Sequence, residues 1–516
     1  MLIKTFGSAV YGVEAITISV EVDINNQGKN YYIVGLPDNA IKESLQRVES
    51  VIKSNGYFMP RTKLLVNLAP ADIRKSGTAF DLAIAIGTLA ASGQLDFPEK
   101  LEHFVIMGEL SLDGKILPIR GALPIALQAS KEGMEGMLLP QANAKEAAMV
   151  SGLNIYGANH FKDVVDFFND TNVIAPTKID VAATFLQAQS EFDIDFSDVK
   201  GQHNIKRALE IAAAGGHNAI LIGPPGAGKT MLAKRLPTIL PPLTLPEALE
   251  TTKIHSVAGK MPENSTLVCK RPFRSPHHTI SDVALVGGGG YPQPGEISLA
   301  HHGVLFLDEL PEFKRTVLEV MRQPMEERKV TISRAKVAMD FPANFMLIAS
   351  MNPCPCGFFN HPEKECTCPP GMVQKYLNRI SGPLLDRIDL HVEVTPVKFD
   401  ELSSTLVQEK SVQIRERVIQ AREVQARRYQ QHPEIYSNAQ MNSKLLKEIC
   451  RIDTTSQQLI KKAMERLDLS ARAYDRILKV SRTIADLDGS ENIKTEHLAE
   501  AIHYRSLDRE SWGGQR

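Results

Sequence analysis

The sequence predicts an α/β multidomain protein built around a parallel-sheet nucleotide-binding core. Three observations predict it. Short strand and helix patterns alternate over residues 1–175. The run "AILIGPPGAGKT" (219–230) joins an apolar strand to a glycine-rich loop. Charged helical patterns fill the chain after residue 401. At 516 residues the chain has room for about two to four domains. Apolar residues at 43% and charged residues at 23% are ordinary for a globular protein. A formal net charge of −1 leaves no global basic field, so nucleic acid must be met by local patches.

The first domain is expected over 1–175. "AITISVEVDI", "NYYIVGL" and "KLLVNLAP" read as strands, "NAIKESLQRVESVIKSN" and the Ala-rich "TAFDLAIAIGTLAASG" as helices. Glu14, Glu21 and Asp23 interrupt the N-terminus, which reads as a strand and not as a signal peptide. "DLAIAIGTLAASG" is too short to span a bilayer. These features predict a cytoplasmic protein with no membrane partner. A linker is expected over 176–195, an ATPase core over 196–400 and a helical domain over 401–516.

The core carries the chemistry. Gly223, Gly226 and Gly228, with Pro224, Pro225 and Ala227, allow backbone N–H groups to approach phosphates closely. Lys229 is expected to reach the β/γ-phosphates and Thr230 to ligate Mg²⁺. "GVLFLDEL" (303–310) is a buried strand ending in Asp308 and Glu309. In an open parallel sheet, ligands sit at the carboxyl ends of strands. Asp308 would hold Mg²⁺ there, and Glu309 would orient or deprotonate the attacking water. "FMLIASMN" (345–352) delivers Asn352 to the same edge. The reaction class is ATP hydrolysis. Arg387 in "SGPLLDRIDLHVEV" and Arg472 in "LSARAYDRILKVSRTIADL" are candidates to complete the catalytic set, the alternative for each being an ordinary surface arginine.

Four of the six cysteines fall in "CPCGFFNHPEKECTC" (354–368). Cys354, Cys356, Cys366 and Cys368 form two close pairs. In a cytoplasmic protein, clustered cysteines point to metal before disulfides. Four thiolates fit a closed, structural Zn²⁺ site, with His361 as a substitute ligand. Cys269 and Cys450 read as structural.

Two segments suit DNA. "KRPFRSPHH" (270–278) offers Arg271 and Arg274 with a phenylalanine and prolines interleaved. "ERKVTISRAKVAMDF" (327–341) reads as a hairpin with Arg334 and Lys336 near its tip. The helix from Lys410 to Arg428 reads as a solvated face with i,i+4 pairs.

These motifs resemble AAA+ ATPases of the magnesium-chelatase-like branch, and within it the ComM/YifB subfamily of bacterial competence-associated proteins. The resemblance rests on "RPFRSPHHTISDVALVGGGGYPQPGEISLAHHGVLFLDEL", "MNPCPCG", "LLDRIDLHVEV" and "LKVSRTIADL". "VGLPDNAIKESLQRV" and "NLAPADIRKSGTAFDLAIAIG" fit it too. It implies that Asn352 is the first sensor, Arg387 an arginine finger reaching the neighbouring subunit's ATP, and Arg472 the second sensor on a helical lid. It implies a homo-hexameric ring. It implies a motor on single-stranded and branched DNA, a helicase or branch-migration factor of homologous recombination and natural transformation. Recombination proteins would be further partners. A hairpin before the first sensor points into the pore in related helicases. The N-terminal domain resembles the Lon-protease fold, but Ala79 and Leu123 stand where a Ser–Lys dyad belongs, so the domain is expected to be non-proteolytic. The alternatives are a magnesium-chelatase-like metal-insertion motor subunit and a non-motor AAA+ scaffold.

Overall fold

The computed structural model describes residues 2–25, 28, 30–188, 192–261, 266–334, 337–359, 361, 363–397, 408–432, 434–467 and 469–505. The chain divides into two compact units. One holds Met1–Ala188 with Leu245–Val268 and Ala335–Met339. The other holds Gln189–Thr244, Cys269–Arg334 and Asp340–Arg516. The sequence alone suggests a core running unbroken from 196 to 400. The division is different, because the helix Leu245–Ala258 groups with the N-terminal unit. The expected linker contains a helix, Val181–Ala188. The boundary expected between 400 and 401 lies outside the described residues.

The N-terminal unit is a seven-stranded sheet. Leu2–Tyr11 and Glu14–Asn25 form an antiparallel hairpin, and Lys63–Ala69 continues it on the second strand's other side. Phe104–Ile106, Gly136–Pro140 and Asn154–Ala158 extend it in parallel from Leu2–Tyr11. The mixture follows from connection length: a short turn allows a hairpin, whereas parallel neighbours need helical crossovers. The helices Asn39–Ser54 and Asp81–Ala91 bury Val48, Ile52, Leu82 and Ile86 against it. Asp81, fully buried at a helix start, is held by Ser44, by the Arg47 guanidinium and by the N–H of Leu110. Without such partners a buried carboxylate is costly. Leu123 is buried and its N–H donates to Glu146.

The second unit is a five-stranded parallel sheet. Its order is Phe273–Arg274, Val304–Leu307, Met346–Met351, Ala219–Ile222, Leu390–Glu393. The three central strands are buried throughout, as strands covered on both faces must be. The helix His203–Gly215 and the C-terminal helices Ser411–Arg428 and Ala471–Leu487 share one core with the sheet. The strand Phe273–Arg274 lies inside "KRPFRSPHH", which the sequence presents as a DNA-gripping loop. Two residues between Pro272 and Pro276 carry no alternation from which an edge strand can be read.

Candidate nucleotide-binding site

The sheet order sets the site. The P-loop strand lies between the strands ending at Met351 and Glu393, and Val304–Leu307 lies beyond the first. Three parallel strands therefore present their carboxyl ends along one edge. Gly223 leaves its strand with its N–H on Met351 O at 3.2 Å. A Cβ there would lie 2.2 Å from Val394 O, so glycine alone fits. Gly226 and Gly228 have φ of +78° and +84°, the left-handed region that glycine adopts without strain.

Lys229 opens the helix Lys229–Arg235. Its Nζ donates to Gly223 O at 2.7 Å, Pro224 O at 2.9 Å and Asn352 Oδ1 at 3.1 Å. Burial lowers its pKa, against the opposing pull of Asp308 and Glu309. Phosphate oxygens in the loop would offset that desolvation. Thr230 Oγ1 donates to Asp308 Oδ2 at 2.7 Å. The other oxygen of Asp308 accepts the Ser350 hydroxyl and the Glu309 N–H, the latter at 3.1 Å. Glu309 has φ of +55°, uncommon for a residue with a Cβ, and its carboxylate lies 3.5 Å from His278 Nδ1. Lys229, Thr230, Asp308, Glu309 and Asn352 thus form one connected group.

Ser350 and His278 belong to this group, and sequence reasoning assigned neither to it. Ser350 left a signal, a single hydroxyl in the otherwise apolar strand Met346–Met351, fully buried. His278 left none that separates it from the basic cluster around it.

The two arginines are placed differently. Arg387 follows the short helix Gly382–Leu385 and is 7% exposed. It donates to Pro383 O at 2.6 Å and pairs with Glu326 at 2.6 Å. Its Nε is buried with no hydrogen-bond partner among the described residues. Arg472 is exposed in the first turn of Ala471–Leu487, a helix capped by the Ser470 hydroxyl.

The DNA candidates divide as well. Arg271 donates to three backbone carbonyls, of Pro241, Pro242 and His302. Arg274 makes a two-pronged pair with Glu296 at 2.6 and 2.7 Å. DNA contact by either requires exchange of these partners. Lys329–Arg334 and Val337–Pro342 form the two-stranded sheet that the sequence suggested as a hairpin. The side chain of Arg334, and Lys336 entirely, lie outside the described residues.

The four cysteines of 354–368 converge, with all four sulfurs within 4.8 Å of one another. Cys354 Sγ lies 3.3 Å from Cys356 Sγ and 3.7 Å from Cys366 Sγ, and Cys356 Sγ lies 3.5 Å from Cys366 Sγ. Zinc–sulfur bonds of about 2.3 Å in a tetrahedron put sulfurs about 3.8 Å apart. The cluster thus has nearly the dimensions of such a site. The Phe359 N–H donates to Cys354 Sγ at 3.3 Å. Cys269 and Cys450 are buried outside this cluster.

A cavity of about 670 Å³ opens beside the P-loop. Val199, Gln202, Pro225 and Met231 line one part of it, Phe358 and Lys364 another.

Comparison with known proteins adds to this geometry. Residues 195–402 match the family "Magnesium chelatase, subunit ChlI". Residues 20–143 match "Subunit ChlI of Mg-chelatase", and 408–505 match "Magnesium chelatase, subunit ChlI C-terminal". The Competence protein ComM of Haemophilus influenzae is 44% identical over 505 residues, covering 98% of this chain and 97% of that protein. The chain belongs to the ComM/YifB family of magnesium-chelatase-like proteins. The uncharacterized protein YifB of Escherichia coli, another member, is 43% identical over 97% of this chain and 96% of its own length. Lon protease 2 of Bacillus subtilis is 32% identical over 154 residues, 27% of this chain. The ComM/YifB family is of AAA+ type, and membership implies ATP and Mg²⁺ as ligands. No helix among the described residues is long and apolar enough to cross a membrane.

Proposed function

We propose that the protein is a homo-hexameric ATPase ring that moves on single-stranded and branched DNA during the homologous recombination of competence. The observation that carries the ATPase part is the connected group Lys229–Asn352 and Thr230–Asp308–Glu309 on one sheet edge. The P-loop N–H groups and Lys229 bind the triphosphate, and Lys229 keeps Asn352 beside the terminal phosphate. Thr230 and Asp308, already hydrogen-bonded to each other, would hold Mg²⁺, which neutralises charge developing on the phosphate oxygens. Glu309 orients the attacking water and takes its proton. Arg387 serves the neighbouring subunit's site, and Arg472 closes on the nucleotide from a helical lid formed by the C-terminal helices. The four cysteines hold structural Zn²⁺. The N-terminal domain is Lon-like and non-proteolytic, because Ala79 and Leu123 carry neither nucleophile nor base.

The likeness to a competence protein over nearly the whole chain supports the DNA reading. Arg334 and Lys336, which the sequence puts near a hairpin's tip, are the proposed contacts, with Arg271 and Arg274 joining only if they leave their internal partners. The deciding experiment is strand exchange on a synthetic three-strand junction with and without ATP. Wild type should move the junction only with ATP. Lys229→Ala should abolish nucleotide binding, and Glu309→Gln should bind ATP and turn over slowly. Neutralising Arg334 and Lys336 should lower the salt slope of DNA binding by about two charges' worth of counterions while ATPase activity persists. A ring that hydrolyses ATP but binds no DNA at low salt overturns the DNA part. The three ChlI matches favour a second reading for that case, a motor subunit for metal insertion.

A further inference from the structure

We infer that the cysteine loop is a wall of the nucleotide pocket, on which Phe358, His361 and Lys364 contact the bound nucleoside triphosphate, and that zinc on the four cysteines sets nucleotide affinity. The inference rests on the ATP-binding reading above.

The loop and the P-loop touch. Gly357 has φ of +85°, and a Cβ on it would lie 2.5 Å from Pro225 Cδ. Any side chain there would push the two loops apart. Immediately beyond this contact the loop turns over the cavity. Phe358, His361, Glu363 and Lys364 line it together with Pro224 to Gly228 of the P-loop.

The wall is built from its own contacts. Lys364 Nζ lies 4.9 Å from the centre of the Phe358 ring, a cation over an aromatic face. The His361 ring meets Phe358 edge-on at 5.6 Å. His361 Nδ1 accepts the backbone N–H groups of Glu363 and Lys364, both at 3.1 Å. With Nδ1 occupied as an acceptor, the neutral ring carries its proton on Nε2. An ammonium and an imidazole N–H suit phosphate oxygens, and the aromatic face suits the nucleoside.

No helix or strand is present among the described residues between the strand ending at Met351 and the helix starting at Met372. Two cysteines precede the wall and two follow it, so joining their sulfurs closes Gly357 to Glu365 into a ring. Closing such a loop lowers the entropy cost of holding it in one shape. Metal on the cysteines therefore fixes where Phe358, His361 and Lys364 stand relative to Pro225.

The test measures binding, not turnover. The full-length protein is prepared with stoichiometric zinc and, separately, stripped by a chelator. The dissociation constant of a fluorescent ATP analogue is measured with Mg²⁺ for both, and for Lys364→Ala and Phe358→Ala with their zinc content. Loss of a charge-assisted contact should weaken binding about tenfold or more in Lys364→Ala, whose zinc should stay. Stripping should weaken wild type at least as much. Affinities within about twofold across all four preparations overturn the inference while leaving the ATPase reading intact. A zinc-loaded wild type that binds no nucleotide overturns both. If stripping abolishes the melting transition, Lys364→Ala decides: weakened binding with full zinc upholds the wall, and unchanged binding overturns it.

Discussion

His278 Nδ1 lies 3.5 Å from the carboxylate of Glu309. The basic segment 270–278 therefore reaches Glu309, the proposed water-orienting residue, and a residue read from sequence as part of a DNA patch stands beside the P-loop's acidic partners. Glu309 is held in the left-handed region on a strand end, so its backbone is set while its side chain is over half exposed. His278 faces that side chain.

His278→Ala should lower kcat for ATP about two- to fivefold, the worth of a partly exposed pair, with nucleotide affinity unchanged. Steady-state turnover and a separate binding titration check the two halves. A parallel loss of affinity would mean that the substitution disturbs the pocket and not the glutamate.

Ser350→Ala should raise the Mg²⁺ concentration needed for half-maximal ATPase activity about tenfold, as removal of a group that orients a metal ligand does. The buried hydroxyl holds one Asp308 oxygen while Thr230 holds the other. Without that hydroxyl, Asp308 Oδ1 keeps only the Glu309 N–H, and the carboxylate would meet the ion less firmly oriented. The Mg²⁺ titration of turnover at saturating ATP is the measurement, and an unshifted curve would exclude this role.

The parts of the site that were legible in the sequence are those fixed by local pattern. A strand of Ala219–Ile222 followed by three loop glycines allows little but a phosphate loop, and Val304–Leu307 ending in two acids reads the same way. Two cysteine pairs nine residues apart were legible as one cluster. What depends on distant partners was not legible. Arg271 looks free until the carbonyls of Pro241, Pro242 and His302 close on it. The grouping of Leu245–Val268 with the N-terminal unit reflects contacts such as Ser256 to Glu146, 110 residues apart, which no local period encodes. Phe358 joins the nucleotide pocket only because Gly357 packs on Pro225.

Acid should unfold the ATPase unit partly through Asp389. This carboxylate is 1% exposed, accepts the Asn218 N–H at 3.1 Å, and lies 3.3 Å from His217 Nδ1 and 2.9 Å from an Arg476 nitrogen. Burial alone would raise its pKa, but Arg476 and His217 overcome that and hold it well below the usual carboxylate range. A depressed folded pKa means stability that is complete above the unfolded value of about 4 and lost as pH falls below it. Asp389→Asn should therefore destabilise the protein by about 3 kcal/mol at pH 7, since it leaves the Arg476 guanidinium without its anion. The gap to wild type should narrow as pH falls from 5 toward 3. Denaturant midpoints across that range test it, and a gap independent of pH would assign the loss to packing.

In the single chain the Arg387 guanidinium is paired with Glu326 at 2.6 Å, and its Nε has no acceptor among the described residues. An arginine serving a neighbour's γ-phosphate must leave Glu326, so in the proposed ring the intact pair would oppose catalysis and assembly would have to break it. An arginine finger contributes about 10³ to 10⁵ in rate in related nucleotide hydrolases, so Arg387→Ala should lose nearly all turnover while still binding ATP. Lys229→Ala should be equally silent because it binds none. In mixed rings, an Arg387→Ala subunit has an intact P-loop, and a Lys229→Ala neighbour has an intact finger. Their shared interface holds one working copy of each part. Mixing the two inactive proteins should restore turnover, rising with total concentration as rings form. Glu326→Gln should increase wild-type turnover at limiting protein concentration, because the finger no longer has a competing carboxylate. Verified mixed rings without activity would show that Arg387 acts within its own subunit. The Glu326 pair would then be a fixed structural contact and not one that assembly has to open.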